Sequence, residues 1–480
     1  MVKGNSTLDP DPLKYTSIAL SEVVSNSTRL EAIAFNLEVK AAKYKVEHCK
    51  YGFVHLWGTD GLVKEAYYGN RTKREYVSKN TVGAIGFIGS SEMLEINPKP
   101  NKYLSSNGKR IDDFRVSLGS VLISRSGTIG NVSFVNKTLS KLLVSEHAIR
   151  IIPINFGGYI YAFLKSSIGK TMVKANTFGA VVDEIEPEHL KNIIIPNAPD
   201  LIKKQIHDLV VESYDLRDRS NELIDEAERI LYEELQLPPI EQLKPKYFDT
   251  SVDLRNYISK LSRLDLRLDC SYHTPIVNEI INVLNSNSKQ LVSLGTITNG
   301  IVLPGRFSRT YVGSNNGVQF LGGKDLFNLN PISEKYLSRT IHKKQIDGEL
   351  KITKNNILTP SRGTIGAVAL APKHFEDKVI SDNIINIRVI DNMAGYVFSF
   401  LNTDYGCELI KRHIYGGVVD AMEPSMLYNV EIPILKDEPK QKEINDKVLQ
   451  ANVLRHKAYL KEEEALRMME EVIDNNNKLY

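Results

Sequence analysis

The sequence predicts a mixed α/β protein, α+β within each half, in which one folding unit is written twice and each copy ends in a long helix. Three observations predict it: an internal repeat, short β-branched runs punctuated by Gly and Pro, and two acidic segments with heptad spacing.

The repeat comes first. SRSGTIGNVSF, from Ser124, aligns with SRGTIGAVAL, from Ser361, at an offset of 236 from the GTIG onward, and VSEHAIRI, from Val144, aligns with ISDNIINI, from Ile380, at the same offset. GYIYAFLKSSIGK (from Gly158) matches GYVFSFLNTDYGC (from Gly395) at 237, as GAVVDEIEPEHLKNIIIP (from Gly179) matches GGVVDAMEPSMLYNVEIP (from Gly416). Upstream, FIGSSEMLEINPKPNKYLSS (from Phe87) pairs with FLGGKDLFNLNPISEKYLSR (from Phe320), and RLEA at Arg29 corresponds to RLDC at Arg267. These matches place an N-terminal segment at 1–27, a first domain at 28–198, a first helix at 199–236, a proline-rich linker at 237–265, a second domain at 266–436 and a second helix at 437–475.

Within the first copy, Val121 to Ser124, Ile149 to Ile152 and Ile193 to Ile195 read as strands. GYIYAFLKSSIG has helical spacing and reads as the main helix of the domain, ending near Gly169. GAIGFIGSS, from Gly83, reads as turns.

After Pro199 the period changes. Ile202, Ile206, Leu209, Ser213, Leu216, Ser220, Leu223, Ala227 and Ile230 step alternately by four and three, a heptad seam. The second copy offers Ile444, Val448, Ala451, Leu454, Ala458, Ala465, Met468 and Val472 on the same face. Ser213 and Ser220, against Ala451 and Ala458, let two backbones approach, so the helices are expected to pair as an antiparallel coiled coil. A helix of this length spans roughly 50 Å.

Composition sets the bounds. At 480 residues, 42% hydrophobic and 25% charged, the chain exceeds one comfortable core and reads as two or more globular domains. No run of about 18 apolar residues occurs and the start lacks a signal-peptide core, so a soluble cytoplasmic chain with no membrane contact is expected. Cys49, Cys270 and Cys407 form no CxxC pair, which disfavours disulfides and zinc. The net charge of +3 is unevenly divided: residues 200–235 and 437–475 together carry −9, leaving +12 for the rest. Basic domains on acidic helices suit a polyanion ligand.

Catalytic motifs fail one by one. IGKT at Ile168 to Thr171 lacks a Walker glycine, Leu164 standing in its place, and GAIGFIGSS does not match dinucleotide spacing. No GxSxG, HExxH or Asn-Pro-Pro-aromatic loop is present, so neither a catalytic site nor a metal site is expected. Asp183 with Asp420, and Glu186 with Glu423, recur between copies. The glutamates precede Pro187 and Pro424, where acids favour a helix start.

What remains is basic density that repeats in position. RTKREYV, with Lys73 and Arg74, resembles RFSRTYV, with Arg306 and Arg309; KYLSS is followed by Lys109 and Arg110, and KYLSR by Arg339, Lys343 and Lys344. Arg125 and Arg362 each sit beside a glycine turn. Such residues can fix phosphates or address guanine edges, and these eleven are the candidate double-stranded DNA contacts.

The order, duplication and spacing of RLDCSYHTP (from Arg267), SRSGTIG, SRGTIG and the GAVVDEIEPEHLKNIIIP endings, leading into EAERIL (from Glu226) and EEALRMM (from Glu463), resemble the specificity subunit of type I restriction-modification systems. The resemblance implies two target-recognition domains in a prokaryotic phage-defence protein, each reading half of a bipartite asymmetric DNA target, with the paired helices as spacer. It also implies separate partners: two DNA adenine methyltransferase (modification) subunits using S-adenosylmethionine, and a restriction/translocase subunit using ATP and Mg. No catalysis and no cofactor are then expected in this chain. Rival readings are a recognition subunit of another methylation-based defence system and a coiled-coil protein-binding scaffold.

Overall fold

Alternating β-branched and aromatic residues set short strands, and a computed structural model of the chain arranges them in the same order twice. It describes residues 18–25, 36–177, 184–243, 260, 264, 267–331, 333–390, 392–416 and 420–474. Two compact units emerge, 1–215 with 460–480, and 216–459. Each long helix therefore contributes one part to each unit. RLEA at Arg29 and most of the 237–265 linker lie outside the described residues.

In the first unit, an antiparallel sheet has the order Val63–Tyr67, Ala148–Pro153, Val121–Ser124, Val132–Phe134. A second sheet runs Tyr76–Val77, Lys102–Ser105, Ala84–Ile88, Leu143–Val144, its last pair parallel. Phe53–His55 pairs with Ile194–Pro196 to close the domain. The second unit repeats all three. Thr298–Val302, Ile384–Val389, Ile357–Pro360 and Ala369–Leu370 form its larger sheet. Tyr311–Val312, Tyr336–Ser338, Gly317–Leu321 and Val379–Ile380 form the smaller one, and Gln290–Ser293 joins Glu431–Ile434. The three strand expectations fall within one residue of these bounds at every end.

Two local readings are corrected. GAIGFIGSS is not turns: Ala84–Ile88 is a strand inside the smaller sheet. Its Gly86 is there because Pro100 covers it, leaving only 2.5 Å between a built Cβ and Pro100 Cγ. Gly169 does not end the main helix either. Gly157–Lys165 stops at Ser166, whose hydroxyl accepts the Gly169 N–H at 3.1 Å and starts a second helix, Ser167–Ala175. A Cβ on Gly169 would meet the Phe163 carbonyl at 2.0 Å, so the glycine marks the close turn between two helices. Thr403 and Gly406 repeat the arrangement between Ala394–Leu401 and Asp404–Lys411.

The long helices span Asp200–Glu234 and Glu438–Asp474. Each receives the start of one domain's buried helix in the same way: Gly158 N–H donates to His207 Nδ1 at 2.9 Å, and Gly395 N–H donates to Asn445 Oδ1 at 3.0 Å. In the first unit Ile206, Val210 and Tyr214 share a core with Tyr159, Tyr161, Ala465, Met469 and Val472. In the second, Leu223, Ala227 and Ile230 share one with Tyr396, Ile444, Val448 and Ala451. There Lys447 meets Glu226 at 2.7 Å and Arg455 meets Ser220 at 3.5 Å, so the helices run antiparallel.

Of the seam residues, Ile206, Leu223, Ile230, Ile444, Val448, Ala451 and Ala458 are buried; Ile202, Leu209, Leu216, Leu454 and Met468 are half-buried. The middle of the seam is polar. Arg217, Asp218, Asn221, Asn452 and Arg455 are all buried there, and burial pushes the Arg455 pKa down to about 10.

Candidate nucleic-acid interface

Sheet register decides which basic residues can act together. In the smaller sheet Tyr76 lies opposite Leu104 and Val77 opposite Tyr103, antiparallel. Residues before Tyr76 therefore leave the sheet at the same end as residues after Ser105, which brings Lys73 and Arg74 to the end that carries Lys109 and Arg110. Tyr311 opposite Leu337 and Val312 opposite Tyr336 do the same for Arg306 and Arg309 with Arg339, Lys343 and Lys344.

The larger sheet delivers the third group. Ser124 pairs with Ala148, and Arg125 N–H donates to the His147 carbonyl at 2.8 Å, so Arg125 lies beside the turn containing Glu146. Glu146 is the ion-pair partner of Arg74. In the second unit Ser361 N–H donates to the Asn383 carbonyl at 2.8 Å, next to Asp382, and Asp382 is the partner of Arg309. One corner of each unit thus collects an arginine from the small sheet and an acid from the turn; the residue after the strand is Arg125 in the first unit and Ser361 in the second, with Arg362 one place farther on.

The first arginine is engaged identically in both. Arg74 lies over Phe87 with its guanidinium carbon 4.9 Å from the ring centroid, and Arg309 lies over Phe320 at 5.2 Å. The partner carboxylates are nearly inaccessible, while 22% of the Arg74 side chain and 31% of the Arg309 side chain stay open. Burial opposes the Arg74 charge, but Tyr76 and Glu146 outweigh it, so the pKa is raised. A guanidinium pinned by a buried acid and an aromatic face presents a fixed edge to a ligand.

Arg125 and Arg362, paired by sequence, do not share a place: Arg125 carries the backbone bonds that Ser361 carries in the second unit, and Arg362 stands where Ser126 does. Arg125 is only 5% exposed at the side chain, bonds Glu184 at 2.9 Å and also Glu186, and lies 4.2 Å over Tyr68. Burial works against its charge, and the two glutamates more than compensate. Arg362 is exposed, with no ion pair among the described residues.

The remaining candidates are exposed: Lys73, Lys109, Arg306, Arg339, Lys343 and Lys344, with Arg110 paired to Asp113 at 2.9 Å and Arg339 donating to the Gly317 carbonyl at 3.2 Å. Glu186 and Glu423 do precede short helical turns, Pro187–Asn192 and Pro424–Leu427, as expected of capping acids. Both have a second role, since Glu186 binds Arg125 and Glu423 accepts the Tyr415 hydroxyl at 2.8 Å. Asp183 lies outside the described residues. Sequence reasoning missed Glu146, Asp382, Glu184, Tyr68, Phe87 and Phe320, all of which become visible only through pairing across strands.

Among the described residues no group of three His, Cys, Asp or Glu is placed to hold a metal, and no helix is long and apolar enough to cross a membrane.

Residues 63–229 match the family described as the type I restriction modification DNA specificity domain. No curated protein matches the chain. Among solved structures, the chain is similar to a type I restriction-modification S subunit from M. genitalium, with 12% identity, TM-score 0.34, and coverage of 89% of this chain and 96% of that one. It is also similar to the HsdS subunit from Thermoanaerobacter tengcongensis, with 14% identity, TM-score 0.25, and coverage of 88% and 98%. A third similar chain comes from a study of complex assembly and conformational transition of the type I R-M system, with 17% identity, TM-score 0.26, and coverage of 88% and 96%.

Proposed function

We propose that this chain is the DNA-recognition subunit of a type I restriction-modification complex, and that each unit reads one half of a bipartite, asymmetric target. The observation that carries the reading is the paired basic corner. The same sheet register, buried acid and aromatic platform hold Arg74 in one unit and Arg309 in the other, inside a fold whose first copy matches a DNA specificity domain. Shared framework with divergent loops is what two different half-sites need.

In this reading the long helices set the gap between half-sites, and their acidic outer faces dock two adenine methyltransferase subunits. S-adenosylmethionine belongs to those subunits, ATP and Mg to a restriction/translocase subunit, and this chain supplies no catalytic group. The domain boundaries proposed are 28–198 and 266–436, with spacer helices at 199–236 and 437–475, and the chain acts in the prokaryotic cytoplasm.

The test is to map methylated adenines in DNA from cells carrying this chain with its modification subunit. A bipartite motif that disappears with the chain is expected. Neutralising Arg74 should relax one half of that motif and neutralising Arg309 the other; equal relaxation of both halves by either change would refute the assignment of one half to each unit.

A further inference from the structure

Arg74 and Arg309 hold the same place by strand register, two residues before Tyr76 and Tyr311 on the edge strand of the smaller sheet. Both commit Nη2 to an acid of the turn before the strand at Ala148 or Ile384, Glu146 in one unit and Asp382 in the other. Both lie over a phenylalanine of the same sheet, Phe87 or Phe320. A second ring reaches each guanidinium from a different part of the chain: Phe114 at 5.7 Å in the first unit and Phe307 at 5.9 Å in the second. The two carboxylates each keep 6% of their side-chain surface. In Arg74 Nε is buried as well, so the donors left open are on the Nη side. Two copies that differ in their acid and in their second ring thus keep one setting for the guanidinium.

That setting favours one class of acceptor. The buried carboxylate cancels the charge that would draw a phosphate, and a second anion brought to the guanidinium would face that carboxylate with little water between them. Neutral acceptors meet no such repulsion. A planar fork fixed by rings and an acid matches the two acceptors, O6 and N7, that guanine shows in the major groove. Lys73 and Arg306, exposed nearby, suit phosphates instead. We infer that Arg74 and Arg309 each read a guanine, and that Glu146 and Asp382 are the positioning residues that make them base readers rather than phosphate contacts. The inference rests on the DNA-recognition reading and adds the base to it: each half of the target holds a G·C pair addressed by the equivalent arginine.

The experiment uses the complex of the chain with its modification subunits and the target mapped by adenine methylation. Arg74→Lys and Arg309→Lys keep the charge and lose the fork. Each is expected to relax a single G·C position, in opposite halves of the motif, with loss of the roughly 5- to 150-fold discrimination that one bidentate pair provides. 7-Deazaguanine at that position removes N7 and leaves every phosphate in place; it should weaken binding by the unaltered complex and have no further effect on the lysine variant. Glu146→Gln and Asp382→Asn free the guanidinium charge. They should relax the same positions while steepening the salt dependence of binding to a random duplex by about 0.9 in log K against log salt, the equivalent of one added phosphate contact. Melting curves establish that each variant is folded. An unchanged affinity for the 7-deazaguanine duplex, relaxation at a pair other than G·C, equal loss on all sequences in the lysine variants, or no steeper slope in the Gln and Asn variants would overturn the inference while leaving DNA recognition standing. Absence of any bipartite motif that depends on the chain would overturn the recognition reading, and the inference with it.

Discussion

Glu462 lies in the C-terminal half of the second long helix, and its side chain, 1% exposed, is buried in the first unit. It receives Lys165 Nζ at 2.6 Å and the Tyr161 hydroxyl, and Lys165 also donates to Tyr161 at 2.8 Å. Tyr214 from the first long helix donates to Tyr161 at 3.3 Å, so three elements meet at one ion pair. Removing one partner of a buried pair costs about 3–5 kcal/mol, because the other charge is left without compensation. Lys165 keeps 16% of its side-chain surface and can recover some solvent, which places Glu462→Ala at the low end, about 3 kcal/mol. For a unit of this size that is a fall of about 6–12 °C in the midpoint. Trp57 is the single tryptophan of the chain and lies in the first unit, so its fluorescence follows that unit alone. Glu462→Ala is expected to move the Trp57 transition, whereas Lys165→Met with Glu462→Leu, which removes both charges, should return it to within about 1 kcal/mol of the unaltered protein or above it. A shift of less than about 2 °C for Glu462→Ala would refute the argument, as would a double variant no more stable than the single one.

Two further outcomes concern the second unit, followed by calorimetry as the transition that Trp57 does not report. His413, 6% exposed, is pushed down to about 4 by burial and then by the charges of Arg412 and Arg267. It is neutral when folded and gains a proton on unfolding below about 6.5, so its contribution is complete above that pH and is lost as pH falls toward 4, about 3 kcal/mol in all. His413→Leu should flatten the decline of this transition between pH 6.5 and 4.5; an unchanged slope would show that another group causes it. Gly395→Ala places a Cβ 2.4 Å from the Asn445 backbone carbonyl, forcing the buried helix off the long one, and should cost about 2–3 kcal/mol in the same transition. An unshifted midpoint would mean that this helix contact is looser than drawn.

The fold was legible because its signals are local and occur twice. Val121–Ser124 is buried at every position, and Val121 to Ile123 are apolar in succession because both faces of the strand are covered; the repeat at offset 236 obliges Ile357–Pro360 to be its counterpart. Heptad spacing likewise located both long helices, but it could not show that Leu216 and Leu454 are only half-buried while Arg217 and Arg455 are inside. Periodicity names the face of a helix; which domain's side chains cover that face is a tertiary fact. The candidate site divides along the same line. Recurrence of Arg74 with Arg309 was visible and holds in the strand register, whereas Arg125 and Arg362, alike in sequence, stand one place apart; in either case recurrence counts charges as though each were alone. Whether an arginine is available depends on acids that strand pairing brings in from far along the chain, Glu146 at 72 residues from Arg74 and Glu184 at 59 from Arg125. For the arginines beside the glycine turn the sequence did contain a clue: the offset of 236 holds from the GTIG onward, so the extra Ser126 of SRSGTIG displaces Arg125 by one place from Arg362.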